Sequence, residues 1–447
     1  MVPLPPEIMD FIIASTHDEM SATWVNEWAL KSCSLVCRSW RPPAQKRLFK
    51  DVWLNVNTQD PDDFLAFLLS SPHLAAAIRN LCLFWGELRW FEVLEDDADI
   101  GEKSEDDEDD KPENCPLSPV LLMEVAAALS PMAVVQLEDI SLLGWPSDTP
   151  LPTAPVKLRG LELSGVIYTP EPFSLRSRTT AFDISSFFEL DTIFFSKGRM
   201  AEPIHSAVSS DVPLVLTATT RPVARTVQIK GTDCFAAFNL QCGGFDPGRL
   251  ETLRFSLTDS ATLQFAGALL RLHENSVHNV EVAVSVNYVT ATHERPEVAS
   301  FWEVFGLASC TRLESLDFSW FHDTYGTHEV QVPETQTYET FSTLLASTPP
   351  ALNRLRFTLP HTDAVQNLAT FASILRSLAP RIEQAVQRHQ GLRTITVRVM
   401  GLFAADECTR VMDTARSTLP TRLLDSGVLQ IELRISPFCY HAGYVVV

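Results

Sequence analysis

The sequence of 447 residues predicts an α/β protein, a small N-terminal helical module followed by a solenoid of helix–strand units. Three observations carry that reading. A short pattern, apolar-x-x-apolar-x-apolar, recurs along the chain. From position 250 its starts are separated by 27, 36, 39, 40 and 36 residues, inside the roughly 20–50-residue periods of repeat architectures. Each late strand is also preceded by an apolar helical stretch, at 265–272, 301–307, 341–345 and 368–378, so that stacked units would bury one continuous core.

The elements follow in order. Residues 1–54 read as helices: Pro5-Pro6 suits a helix start, and Ile8, Phe11 and Ile12 recur at helical spacing. A second periodic stretch runs over 24–40 and is stopped by Pro42-Pro43. A short segment with a basic face follows at 44–49, and then Val52, Leu54 and Val56 alternate as a first strand. A bundle this small leans on a neighbouring domain or a partner. Residues 55–94 read as a first repeat-like helix and strand, and 114–447 as the solenoid proper. The apolar stretch 119–135, interrupted by Glu124, Ser130 and Pro131, reads as a buried helix, since a membrane span needs about 20 predominantly apolar residues.

Strand motifs fall at Ile78/Leu81/Leu83, Leu137/Ile140/Leu142, Leu158/Leu161/Leu163 and Leu250/Leu253/Phe255. Five more fall at Val277/Val280/Val282, Leu313/Leu316/Phe318, Leu352/Leu355/Phe357, Leu392/Ile395/Val397 and Val428/Ile431/Leu433. Between about 165 and 245, Phe182/Ile184, Val215 and Val227/Ile229 have strand character without a clean period.

Charge divides the chain. The formal net charge is −21, and residues 95–113 hold twelve acidic side chains against Lys103 and Lys111, a local net of −10. Such a run is expected to be a solvated, disordered insert. It also has the character of a lure for a basic partner, with Ser104, followed by six acidic residues, as a candidate phosphosite. The overall charge argues against nucleic acid and anionic membranes as partners. Nine cysteines without paired spacing read as reduced thiols. With an N-terminus lacking a basic and apolar leader pattern, they place the chain in the cytoplasm or nucleus.

Two segments resemble known families. Leu4-Pro5-Pro6-Glu7-Ile8, then Leu30 with Val36-Cys37-Arg38-Ser39-Trp40, then Leu48-Phe49, together resemble an F-box. The later repeats look like the irregular leucine-rich repeats found behind an F-box in fungal proteins. The resemblance implies a leucine-rich-repeat horseshoe and the substrate receptor of a cullin-type ubiquitin ligase. Such a receptor docks on a Skp-type adaptor, which bridges to a cullin scaffold, and holds an unidentified target by proximity. Leu4, Pro5, Ile8, Ile12, Leu30, Val36, Cys37, Trp40 and Leu48 would be the adaptor-binding residues, with Ile8, Ile12, Val36 and Trp40 equally suited to the bundle's own core. The alternative is a leucine-rich-repeat scaffold or interaction protein that works without a ligase.

No catalytic, cofactor or metal site is expected. Cys33 and Cys37, one helical turn apart, lack the further ligands a structural zinc needs. His322-Asp323 and His328 stand in a polar loop with no nucleophile motif beside them. The expected target-binding residues are Arg254, Glu281, Asp317, Arg356, Thr396 and Glu432. Each lies between the last two apolar positions of a strand motif and so points away from the core.

Overall fold

The computed structural model describes residues 8, 12–13, 23–36, 38–86, 116–143, 146, 149–150, 152, 154–169, 185, 187–196, 199–200, 221–230, 244–258, 260–285, 305–321, 344, 348–359, 368–401 and 405–435. They form two compact units, Met1–Pro222 and Val223–Val447.

The first unit opens with the helices Thr23–Val36 and Arg41–Leu48. Pro42 and Pro43 fall in the first turn of the second helix, where the missing N–H costs little. Then come β1 (Asp51–Asn55), helix Pro61–Ser70, the turn of helix Pro72–Ala75, β2 (Asn80–Phe84), helix Pro119–Ala128 and β3 (Val134–Glu138). The helix at 61 starts where Asp60 accepts a hydrogen bond from the Asp62 N–H at 2.9 Å. The helix at 119 ends at Ala128, ahead of Ser130-Pro131, so the stretch expected as one helix over 119–135 is a helix followed by a strand.

Next come β4 (Ser141–Leu143), β5 (Val156–Ser164), β6 (Ile167–Thr169), β7 (Phe188–Ser196) and β8 (Arg199–Met200). Strands β1, β2, β3, β5 and β7 form one parallel ladder, and β4, β6 and β8 a second, smaller one. The corner between them is made by Asp139 (φ 52) and Gly165 (φ 62), both left-handed. Each is tied to the next strand, by Asp139 N–H to the Ser164 carbonyl at 2.9 Å and Gly165 N–H to the Ser196 carbonyl at 2.8 Å.

The second unit is a run of seven parallel strands: β9 (Val223–Lys230), β10 (Thr252–Leu257), β11 (Asn279–Ser285), β12 (Ser315–Phe321), β13 (Arg354–Leu359), β14 (Thr394–Gly401) and β15 (Leu429–Ile435). Helices Ser260–Leu272, Leu368–Arg388 and Ala405–Thr418 lie in the crossovers. One rung of the sheet, Val227, Leu253, Val280, Leu316, Leu355, Ile395 and Leu429, is buried throughout. Two residues along, Ile229, Phe255, Val282, Phe318, Phe357 and Val397 form a second buried rung, with Phe318 and Phe357 stacked at 5.8 Å. Alternation along each strand therefore puts one face in the core and leaves the other open.

These findings correct two expectations. The irregular leucine-rich-repeat horseshoe does not stand. In the larger ladder of each unit neighbouring strands share five to eight parallel residue pairs, as in Glu281↔Asp317 and its flanks, so lateral sheet hydrogen bonding dominates each unit. β12 runs through to Phe321 where a leucine-rich repeat would close on asparagine or cysteine. The F-box does not stand either. Leu30 is 2% exposed and closed in the helical pair's own core with Ile13 and Ala44, with Cys33, Trp40 and Leu48 packed against it. The pair runs straight into β1, whose register with β2 begins at Asp51↔Asn80 and crosses the expected boundary at 54. Ile12 is half-buried, while Ile8 and Val36 are exposed. Leu4, Pro5 and Cys37 lie outside the described residues, as do the acidic segment 95–113 with Ser104, and His322, Asp323 and His328.

Candidate protein-binding face

On the open face of the second unit the register brings Gln228, Arg254, Glu281, Asp317, Arg356, Thr396 and Gln430 into one rung. Strand spacing of about 4.8 Å makes the stretch from Arg254 to Arg356 roughly 14 Å long. Its charges read plus, minus, minus, plus. Arg254 Nε lies 2.9 Å from Glu281 Oε2, and Arg356 donates to Asp317 Oδ2 at 2.9 Å. Burial alone would lower the Arg356 pKa. The hydrogen bond to Asp317 and its charge, with Glu432 and Glu281 farther off, leave it raised above the usual value. The two arginines and Glu281 are all 40–43% exposed and Asp317 16%, so the pairs face solvent with the acidic centre set lower.

Five of the six residues expected from the sequence share this rung. Glu432 does not: it pairs with Arg398 one rung along, Nε to Oε2 at 3.0 Å, and Gln430 stands beside Thr396. The reason is parity. A shift of two residues keeps a side chain on the same face, and Leu429, Ile431 and Leu433 offer the motif two equivalent phases. Sequence reasoning missed Arg398, Gln228 and Gln430. Arg398 was legible as the next outward residue of the β14 alternation.

The rung nearer the strand starts is also polar. Asn279 donates to Thr252 Oγ1 at 3.3 Å and Arg354 reaches Asn279 at 3.5 Å, while just ahead of the strands His278 Nδ1 stands 3.4 Å from Glu314.

Buried polar groups elsewhere serve the core. The Phe245 N–H donates to His273 Nε2 at 3.2 Å, and His389 Nε2 lies 3.1 Å from Thr348 Oγ1. Both histidines sit just past a helix end, where the chain turns toward a strand. In the first unit the outer face carries Cys82, Gln136, Glu162 and Phe194 in one rung. The Cys82 thiol is pushed up to about 12 by burial, by the charges of Glu138 and Glu162 and by its bond to Glu138 at 3.9 Å. Among the described residues, no group of three or more His, Cys, Asp or Glu is placed to hold a metal, and no helix is long and apolar enough to cross a membrane.

No family model matches the chain, and no curated protein matches it. The expected role as a ubiquitin-ligase substrate receptor is thereby overturned along with the F-box and repeat assignments that implied it. The Skp-type adaptor and cullin partners rested on that resemblance alone.

Proposed function

We propose that the protein is a non-catalytic binding module that holds a polypeptide partner against the open sheet face of its second unit. The observation that carries this is the single rung Arg254, Glu281, Asp317 and Arg356. Four charges in a fixed plus-minus-minus-plus order, about 14 Å long, match a segment with two central basic side chains flanked by carboxylates. Thr396 and Gln430 extend the rung with neutral hydrogen-bonding groups, and Arg398 with Glu432 forms its far shoulder. The non-catalytic reading is supported by what the charged groups do: they neutralise one another in pairs. The buried thiols Cys82 and Cys310 are held in the unreactive protonated form. The four described cysteines are all free, which supports a reducing cytoplasmic or nuclear setting.

The test is a charge swap, Asp317→Arg with Arg356→Asp, set against Leu316→Ala. The swap keeps an internal ion pair but inverts half of the charge order. Proteins captured from cell extract by the full chain and identified by mass spectrometry should be lost in the swap, with the melting temperature unchanged. Leu316→Ala should instead destabilise by about 2–5 kcal/mol. Capture that survives the swap sinks the assignment of this face.

A further inference from the structure

We infer that the partner segment held on the open face of the second unit is an α-helix laid across the strands, an inference that rests on the binding role proposed for that face. Rise along the partner's chain decides between conformations. Arg254, Glu281, Asp317 and Arg356 stand on four adjacent strands, β10 to β13, in one rung. Partner side chains that meet all four must recur every ~4.8 Å, the strand spacing, at about 0, 4.8, 9.6 and 14.4 Å. In a helix, residues i, i+3, i+7 and i+10 share one stripe at about 0, 4.5, 10.5 and 15 Å along the axis, so each meets its rung position within about 1 Å. An extended segment puts same-face side chains roughly 6.7 Å apart and spreads four of them over about 20 Å, which carries its outer charges off the rung.

The neighbouring rungs leave room for the body of a helix. Across β10 to β12, Thr252, Asn279 and Ser315 stand two residues toward the strand starts, and Ser256, Ala283 and Ser319 two residues toward the strand ends. All six are short and half-buried. Two rung spacings make a corridor roughly 13 Å wide, against a helix diameter of about 10–12 Å. The charged rung runs along the middle of this corridor. Its order, plus, minus, minus, plus, selects Glu, Lys, Lys and Glu at the four stripe positions, or Asp and Arg in their places. Each partner charge then meets an opposite charge and joins an ion pair that already exists, Arg254 with Glu281 at 2.9 Å or Arg356 with Asp317 at 2.9 Å. Exposed pairs are individually weak, so the match of all four together sets the preference.

Two synthetic peptides test this on the full-length chain, by fluorescence anisotropy at low ionic strength. One is an alanine-based helix, hydrocarbon-stapled on its far side, with Glu, Lys, Lys and Glu at i, i+3, i+7 and i+10. The other carries the same charges at every second position and is interrupted by proline, which bars a helix. Both peptides are neutral overall, so the chain's net charge of −21 favours neither. The helix should bind roughly tenfold tighter, a difference of about 1.4 kcal/mol. That preference should fade toward 1 M salt, where the Debye length is about 3 Å. In the Asp317→Arg, Arg356→Asp protein the order becomes plus, minus, plus, minus, and preference should pass to a helix with its i+7 and i+10 charges exchanged. Equal binding of the two peptides, tighter binding of the extended one, or binding of neither overturns the helix and leaves the face itself to the capture experiment. A swapped protein that keeps the parent's preference overturns the helix equally. The comparison of peptides uses the unaltered protein and so stands even if the swap fails to fold.

Discussion

Glu162 keeps its carboxyl on the outer face of the first unit's sheet, between Gln136 and Phe194, and burial raises its pKa. A carboxyl whose folded pKa lies above the unfolded value of about 4.3 favours folding only while protonated. That contribution is complete below the unfolded pKa and is lost as pH rises through the folded one. Glu162→Gln should therefore melt higher than the parent at pH 7 and close to it near pH 4. A lower melting temperature at pH 7 would contradict the burial argument. The thiols give a second residue-scale expectation. Burial, with the carboxylates beside it, lifts Cys82 to about 12, and burial lifts Cys310 to about 11. In native protein at pH 8, iodoacetamide should modify the half-buried Cys33 and Cys408 well before either, as peptide mapping would show.

At the scale of elements, the turns that deliver the chain to its strands are held by backbone conformations that side chains resist. Gly244 has φ +73, and a Cβ there would lie 2.6 Å from His273 Nε2 and 2.5 Å from Leu272 Cδ2. Gly427, past the end of helix Thr421–Asp425, has φ +72 with open space around it. Gly427→Ala should cost about 1–2 kcal/mol from the left-handed conformation alone. Gly244→Ala should cost more, because His273 must move and its bond from the Phe245 N–H is broken. Equal losses in denaturant titration would show that the clash is relieved at no cost. The same scale explains which strands could be read in advance. β10 to β14 each bury one face and expose the other, so their alternation is plain. β7 was missed because Phe194 and Phe195 are adjacent apolar residues on opposite faces, which erases the period of two. The Leu137/Ile140/Leu142 motif joined two strands across the left-handed corner at Asp139.

For the whole molecule, charge and core are separate matters. The apolar rungs lie within the two ladders, while nearly half the net charge lies in residues 95–113. Deleting residues 96–110 should shift the calorimetric melting temperature by no more than about 2 °C, since exposed charge contacts contribute about 0–1 kcal/mol. A fall of more than about 5 °C would place the segment in a core. The sequence by itself determined the α/β class, the outward row of Arg254, Glu281, Asp317, Arg356 and Thr396, and the asymmetry of charge. These are local properties, written in residue type and in a period of two. Tertiary structure alone decided that Arg254 meets Glu281 and that Asp317 meets Arg356, that Glu432 belongs with Arg398, and that Leu30 and Trp40 close on their own helical core. It also decided in favour of broad parallel ladders over the horseshoe the repeats implied. A ladder's register depends on contacts between residues tens of positions apart, and a shift by two leaves every local pattern unchanged. Only the packing of the crossovers against the sheet distinguishes the alternatives.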